Sequence, residues 1–241
     1  MTDRTKTLVV GSPQELGLVE TRRGFLRMLG VGGTIVLLPS VFTACDDDDD
    51  DNGNGTGAVA LDLRTDIGIL NYAFALEQLE AAFYTQVVTA ANFNTLFSNA
   101  GERELLTDLR NHEVIHREFF RAALGGSAIS NLAVNFGNAL ASRDSILDAA
   151  ITFEDTGVRA YNGAGKYLTR AENLLVAGKI VSVEARHAAA VRDVRDTTGT
   201  AFASAPAINA QGVEEGLEPS AVLPLVDPFI TTVVTISNQP A

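Results

Sequence analysis

The sequence predicts an all-α protein, a four-helix bundle with a crossover connection and an irregular C-terminal tail. Apolar residues follow helical spacing through four segments between residues 61 and 196, and alternating strand patterns do not occur in this region. Alanine and aliphatic residues dominate the hydrophobic content of 46%, whereas aromatic residues make up 7% and there is no Trp. Glycine and asparagine stand between the segments, as expected where helices end.

The first 45 residues predict an export signal. Arg22 and Arg23 are followed by Gly-Phe-Leu and then by an apolar run over residues 28–38. This run is too short for a membrane-spanning helix, which needs about 20 apolar residues. The Arg-Arg-x-Phe-Leu pattern resembles a twin-arginine signal, which implies export of the folded protein. A chance arginine pair in a basic leader is the alternative.

The only cysteine, Cys45, stands at the end of this leader. It follows Val-Phe-Thr-Ala, and together these residues resemble a bacterial lipobox. The resemblance implies that Cys45 carries a lipid that anchors the protein in a membrane; a buried structural thiol is the alternative. We therefore expect an exported lipoprotein of the cell envelope, either periplasmic or surface-exposed, and not a cytoplasmic protein. A single cysteine excludes an internal disulfide framework.

Residues 46–60 predict a solvated linker. Six consecutive aspartates repel one another, and the glycine-rich stretch that follows them resists ordering. The formal net charge of the chain is −12. No nucleic-acid partner is expected, because binding phosphate requires a basic surface.

Four helices are predicted, at about residues 63–90, 101–124, 143–169 and 171–196. Gly125 is expected to end the second helix, and Ser142 or Asp144 to cap the third. The connection between them is longer than the others, which suits a crossover between two helical hairpins. Residues 197–241 contain several prolines and a β-branched run, and are predicted to lie against the bundle as a tail.

The core-facing stripes of the second and fourth helices are each interrupted by Glu-x-x-His. The second helix carries Glu113 and His116, and the fourth carries Glu184 and His187. Residues three apart share a helix face, so each Glu and His point into the same space. Because a buried carboxylate without a partner costs several kcal/mol, a bound cation is expected between these side chains.

The first and third helices have a complementary pattern. Glu77 is followed seven residues later by Tyr84, and Glu154 by Tyr161. The two tyrosines are expected either to hydrogen-bond the metal-binding carboxylates or to be core aromatics. Four carboxylates and two imidazoles are thus predicted to form a metal site: Glu77, Glu113, His116, Glu154, Glu184 and His187.

The two hairpins differ at one position of this pattern. Glu80 in the first helix occupies the place that Gly157 occupies in the third. Since glycine leaves room opposite the carboxylate, Glu80 is a candidate additional ligand that can swing towards the metals. The alternative is that it points past the core-facing stripe to solvent or to an arginine.

Three segments that carry these residues resemble a known family. Residues 76–84, 153–161 and 184–187 read Leu-Glu-Gln-Leu-Glu-Ala-Ala-Phe-Tyr, Phe-Glu-Asp-Thr-Gly-Val-Arg-Ala-Tyr and Glu-Ala-Arg-His. They resemble the exported ferritin-like proteins that include desiccation-related proteins, and the resemblance covers residues 62–196. It implies a ferritin-like bundle, in which two helices give one Glu each and two give Glu-x-x-His to a di-iron or di-manganese site. It implies no particular activity.

The ligand types favour iron or manganese. Oxygen-rich ligands with one imidazole per metal suit these ions better than zinc. Such a site can oxidise Fe(II), disproportionate peroxide or activate O₂, so the predicted function is a redox or metal-handling role in envelope stress. The alternative function is that of a metal-free structural protein that protects the envelope during drying. The oligomeric state is left open.

A competing motif overlaps the second helix. Residues 112–116 read His-Glu-Val-Ile-His, which matches the H-E-x-x-H of zinc metalloproteases. In that reading His112 and His116 bind zinc and Glu113 is the general base. It leaves Glu184 and His187 unexplained and expects strands around a substrate cleft. The protease therefore ranks third, and His112 is expected at the periphery of the bundle.

Overall fold

The computed structural model describes residues 57–196, 198–205 and 208–240. Arg22, Arg23 and Cys45 lie outside the described residues, as do the six aspartates. The described part is mostly helical, which confirms the predicted all-α bundle. None of its helices is long and apolar enough to cross a membrane.

Four long helices form the bundle: α1 (Asp66–Thr89), α2 (Ala100–Leu124), α3 (Arg143–Ala164) and α4 (Ala171–Arg195). Short helical turns cover Phe93–Leu96, Gly125–Ser127, Gly137–Leu140, Gly165–Tyr167 and Asp227–Phe229. The predicted bounds are correct to within three residues except at the end of α3, which was expected to reach residue 169. This helix ends early because Lys166 and Tyr167 lie in a 3₁₀ turn, where both side chains bind Glu218.

The ends of α2 and α3 follow local capping chemistry. Gly125 ends α2 with a φ of +51°, a conformation that L-residues with side chains rarely adopt. Ser142 caps α3: its Oγ accepts from the Ser145 amide at 3.1 Å, and Ser145 Oγ accepts in return from the Ser142 amide at 2.9 Å. The cap is therefore Ser142 and not Asp144.

Contacts at the two ends of the bundle define the helix directions. At one end, Asp66 of α1 accepts hydrogen bonds from the Thr169 amide at 2.9 Å and from Asn173 of α4 at 2.7 Å. At the other end, Arg143 at the start of α3 binds Glu102 near the start of α2 at 2.8 Å. Helices α1 and α4 therefore run in one direction and α2 and α3 in the other, as a crossover between two hairpins requires.

The crossover is held along α1 by two buried amides. Asn71 Oδ1 accepts from the Ile129 amide at 2.8 Å, and Asn71 Nδ2 donates to the Ser127 carbonyl at 2.8 Å. Two helical turns further on, Gln78 Oε1 accepts from the Leu132 amide at 2.8 Å. These side chains satisfy backbone groups that the extended segment cannot pair with itself.

The C-terminal tail is more regular than predicted. It contains a short helix, α5 (Pro219–Val226), and a strand, β2 (Val234–Ser237), which pairs in parallel with β1 (Val59–Asp62). β1 thus begins two residues inside the segment predicted as linker. Helix α5 forms because Pro219 suits the first helical position and because Val222 and Val226 are buried. The expectation of an irregular tail is wrong for these elements.

Candidate metal centre

The Glu-x-x-His residues of α2 and α4 face each other inside the bundle. Glu113 and Glu184 are fully buried, and His116 and His187 are 9% and 5% exposed. The three-residue spacing places both members of each motif on the core-facing stripe of their helix. Glu77 of α1 and Glu154 of α3 reach the same space, where both are also fully buried. The structure therefore brings all six predicted ligand residues together.

One candidate metal position, called position 1, surrounds Nδ1 of His116. This nitrogen lies 2.8 Å from Glu184 Oε1, 3.3 Å from Glu77 Oε2 and 3.5 Å from Glu113 Oε2. One ligand atom from each of these four residues lies within 4.8 Å of the others. Three carboxylates and one imidazole thus converge on one point.

A second candidate position, position 2, surrounds Nδ1 of His187. This nitrogen lies 2.8 Å from Glu113 Oε1, 3.4 Å from Glu154 Oε2 and 3.5 Å from Glu184 Oε2. Glu113 and Glu184 therefore present one oxygen to each position and can bridge two metals. Glu77 and Glu154 each belong to one position only.

Two tyrosine hydroxyls orient the unshared carboxylates. Tyr84 of α1 donates to Glu154 Oε1 of α3 at 2.6 Å, and Tyr161 of α3 donates to Glu77 Oε1 of α1. Each tyrosine thus crosses to the opposite hairpin. In both glutamates Oε1 accepts the hydrogen bond from the tyrosine. The other oxygen, Oε2, faces His116 in Glu77 and His187 in Glu154.

The atoms that face the two positions do not satisfy one another. Eight buried atoms have no hydrogen-bond partner of acceptable geometry, although they lie close together: Glu77 Oε2, both oxygens of Glu113, His116 Nδ1, Glu154 Oε2, both oxygens of Glu184 and His187 Nδ1. Native proteins rarely leave so many buried polar atoms unpaired at one place. Their arrangement fits two cations with oxygen-rich coordination and one nitrogen each.

In the metal-free chain, protonated histidines balance part of the negative charge of the buried carboxylates. Burial would lower the pKa of His187, but the carboxylates that face its Nδ1 favour the protonated ring and raise the pKa to about 12, and the pKa of His116 is raised for the same reason. Burial would raise the pKa of Glu184, but the two protonated histidines close to its oxygens lower it to about 2. The imidazolium groups therefore supply positive charge where metal ions would.

Other carboxyls at the centre are pushed towards their neutral form. Burial, opposed by the nearby protonated His187, raises the pKa of Glu154 to about 7. Burial and the neighbouring Glu184 also raise the pKa of Glu113 well above its ordinary value. A metal ion that displaces these protons would bind carboxylates already held in place.

Glu80 lies beside this centre and not in solvent. It is 3% exposed, and burial together with the charges of Glu113 and Glu184 raises its pKa. A Cβ atom on Gly157 would lie 3.0 Å from Glu80 Oε1, so the missing side chain makes room for the carboxylate. The alternative that Glu80 points to solvent is wrong, because the adjacent hairpin covers it.

His112 lies at the periphery of the bundle, as expected, but it has a contact that the sequence did not suggest. Its Nδ1 is 2.9 Å from His187 Nε2, and the two rings stack at 5.1 Å with an interplanar angle of 18°. Neither of the two candidate metal-binding groups among the described residues includes His112. The geometry therefore does not bring His112 and His116 together as a zinc pair. The one sequence signal for this contact is the position of His112 next to the core-facing stripe.

Comparison with known families agrees with this architecture. The model of the family described as ferritin-like domain matches residues 65–197, which is more than half of the 241 residues. The matched region contains the four long helices and every residue at the two candidate positions. A comparison with curated proteins finds no match.

Proposed function

Because the chain belongs to the ferritin-like domain family, we propose that its bundle binds two iron or manganese ions at positions 1 and 2. The observation that carries this proposal is the set of eight buried, unpaired polar atoms aimed at two points. Burying four carboxylates without compensating charge would cost several kcal/mol for each one, and two bound cations would remove this cost.

The glutamates of this chain would hold the metals in two ways, as shared and as unshared ligands. Glu113 and Glu184 would contribute to holding both ions and Glu77 and Glu154 to holding one each, while the tyrosine hydroxyls orient these last two carboxylates. The packed core excludes bulk water from the carboxylates, which strengthens each electrostatic contact.

We propose a redox or metal-handling role in envelope stress. When bound, iron or manganese would supply one-electron chemistry towards Fe(II), peroxide or O₂. The chain would limit access to small molecules, because the ligand carboxylates are fully buried and the two histidines are the ligands with measurable exposure.

Titration calorimetry of the metal-stripped protein with Mn(II) and anaerobic Fe(II) tests the proposal. We expect two equivalents to bind. Glu113→Gln should weaken both, since it removes charge from a bridging ligand, whereas Glu77→Gln should weaken one. The matched control is Glu118→Gln, an exposed glutamate on the same helix as Glu113. Equal, weak effects of all three substitutions would contradict the ligand assignment.

Glu80 is proposed as an additional, mobile ligand. Its burial next to the four ligand carboxylates and the space at Gly157 support this role. Glu80→Gln should leave two metals tightly bound but slow their loading or turnover, whereas Glu77→Gln should lose a metal. If the two variants exchange these effects, the ligand assignment on α1 is reversed.

Export and anchoring are proposed on the sequence pattern of the first 45 residues. Replacing Arg22 and Arg23 together with lysine should block export, if the pattern is a twin-arginine signal. Cys45→Ser should release the exported protein from membranes, if the cysteine is lipidated. Fractionation and mass spectrometry of the mature N-terminus measure both outcomes. A Cys45→Ser variant that stays on membranes, with no lipid on the wild type, would contradict the anchor.

A further inference from the structure

A histidine outside the proposed ligand set contacts one of the ligands. His112 of α2 reaches across to α4, where its Nδ1 lies 2.9 Å from Nε2 of His187. The other ring nitrogen of His187, Nδ1, lies 2.8 Å from Glu113 Oε1 in position 2. The imidazole of His187 is therefore held between the proposed metal position and a second histidine.

The chemistry of imidazole decides the direction of this hydrogen bond once a metal is bound. A metal takes the unprotonated ring nitrogen, and His187 presents Nδ1 to position 2. Its ring proton then sits on Nε2, which can only donate. Nδ1 of His112 is the acceptor within reach. Metal-binding histidines commonly donate their second N–H to a partner of this kind, which orients the ring and makes it a better ligand.

The pseudo-symmetry of the two hairpins is broken at this point. Glu113 and His116 on α2 correspond to Glu184 and His187 on α4, so the counterpart of His112 is Val183. A valine side chain has no acceptor to offer the ring of His116. The two metal positions, otherwise built from the same ligand types, therefore differ in how their histidine is supported.

We propose that His112 is a positioning residue that orients His187 and makes position 2 the tighter of the two metal positions. The inference rests on the proposed function, since it requires two bound metals. His112 acts through His187 and does not itself contact a metal.

Release of Mn(II) from the loaded full-length protein to a chelating dye tests the inference. We expect wild-type protein to release two equivalents in two phases, the slower one from position 2. His112→Ala should speed the slow phase about 10-fold or more, in line with the usual cost of removing such a partner, and leave the fast phase unchanged. His112→Asn should restore the slow phase, because its amide oxygen can accept near the place of Nδ1. The matched control is Val183→Ala, which should change neither phase.

Several results would overturn the inference. They are a single release phase in wild type, equal acceleration of both phases in His112→Ala, an unchanged slow phase in that variant, or no rescue by asparagine. His112 is exposed, so its loss should not unfold the bundle; circular dichroism verifies this. Wild-type protein that binds fewer than two Mn(II) would instead refute the proposed function, and the inference with it.

Discussion

Stripping the metal should make the stability of this protein fall as the pH rises. Glu154 has a pKa of about 7 in the folded, metal-free chain, against an ordinary value of 4.5. A carboxyl of this kind keeps its proton in the folded state after the unfolded chain has lost it. The stability that it contributes is complete below pH 4.5 and is lost as the pH rises to about 7.

The structure sets the size of this loss. At about 1.4 kcal/mol for each pH unit, the interval for Glu154 corresponds to about 3 kcal/mol. The raised pKa values of Glu113 and Glu80 act in the same direction. So does that of His187, whose contribution is complete below about pH 6.5 and is lost towards about 12. The lowered pKa of Glu184 changes nothing between pH 5 and 8, because its contribution is complete above 4.5.

Scanning calorimetry of chelator-treated and Mn(II)-loaded protein between pH 5 and pH 8 measures this effect. For a chain of this size, 3 kcal/mol corresponds to a fall of about 6–12 °C in the Tm of the stripped protein. The loaded protein should not follow, because metal binding holds the carboxylates deprotonated. Glu154→Gln should reduce the pH dependence of the Tm. This variant therefore separates the contribution of Glu154 from the general effect of the negative charge of the chain. A Tm of the stripped protein that is flat or rises over this range would refute the reasoning.

Three further substitutions test the packing of the bundle and the hydrogen bonds around the centre. Gly163→Ala places a Cβ atom 1.8 Å from the Leu217 carbonyl oxygen, so it should lower the free energy of unfolding in urea by about 1–3 kcal/mol. Gly178→Ala, in open space on α4, should instead raise it by about 0.5–1 kcal/mol, and stabilisation by both would contradict the close approach at residue 163. Tyr84→Phe removes the hydroxyl that donates to Glu154, which should destabilise the metal-free protein by about 1–3 kcal/mol and weaken metal binding about 10- to 100-fold. Unchanged calorimetric values for that variant would show that the hydroxyl has no part in the site.

The residues that meet at the candidate centre could be predicted because their pattern is local. Glu-x-x-His and Glu followed by Tyr seven residues later are fixed by helix geometry, so Glu113 and His116 had to share a face wherever the helix packed. How the two carboxylate oxygens of each shared glutamate are divided between the two positions was not predictable. Which oxygen of Glu113 faces His116 and which faces His187 depends on the rotation and offset of α2 against α4, and no local spacing encodes these.

The contacts that sequence analysis missed all join distant segments. His112 and His187 are 75 residues apart, and their hydrogen bond exists because α2 and α4 pack side by side at this level. Likewise, the tail forms a strand because Val234 meets Val59, which lies before the first helix. Proline and β-branched residues predict the end of helical structure, but they do not specify with which segment a following strand will pair.

The metal content of protein purified from its native host tests the central claim most directly. Elemental analysis should find two Fe or Mn per chain, and Glu184→Ala should lose them, because Glu184 belongs to both positions. Protein that carries no metal and whose Tm responds to neither chelator nor Mn(II) would contradict the dinuclear site and favour a structural role. A single zinc that Glu184→Ala retains would contradict it as well and favour the H-E-x-x-H reading of residues 112–116.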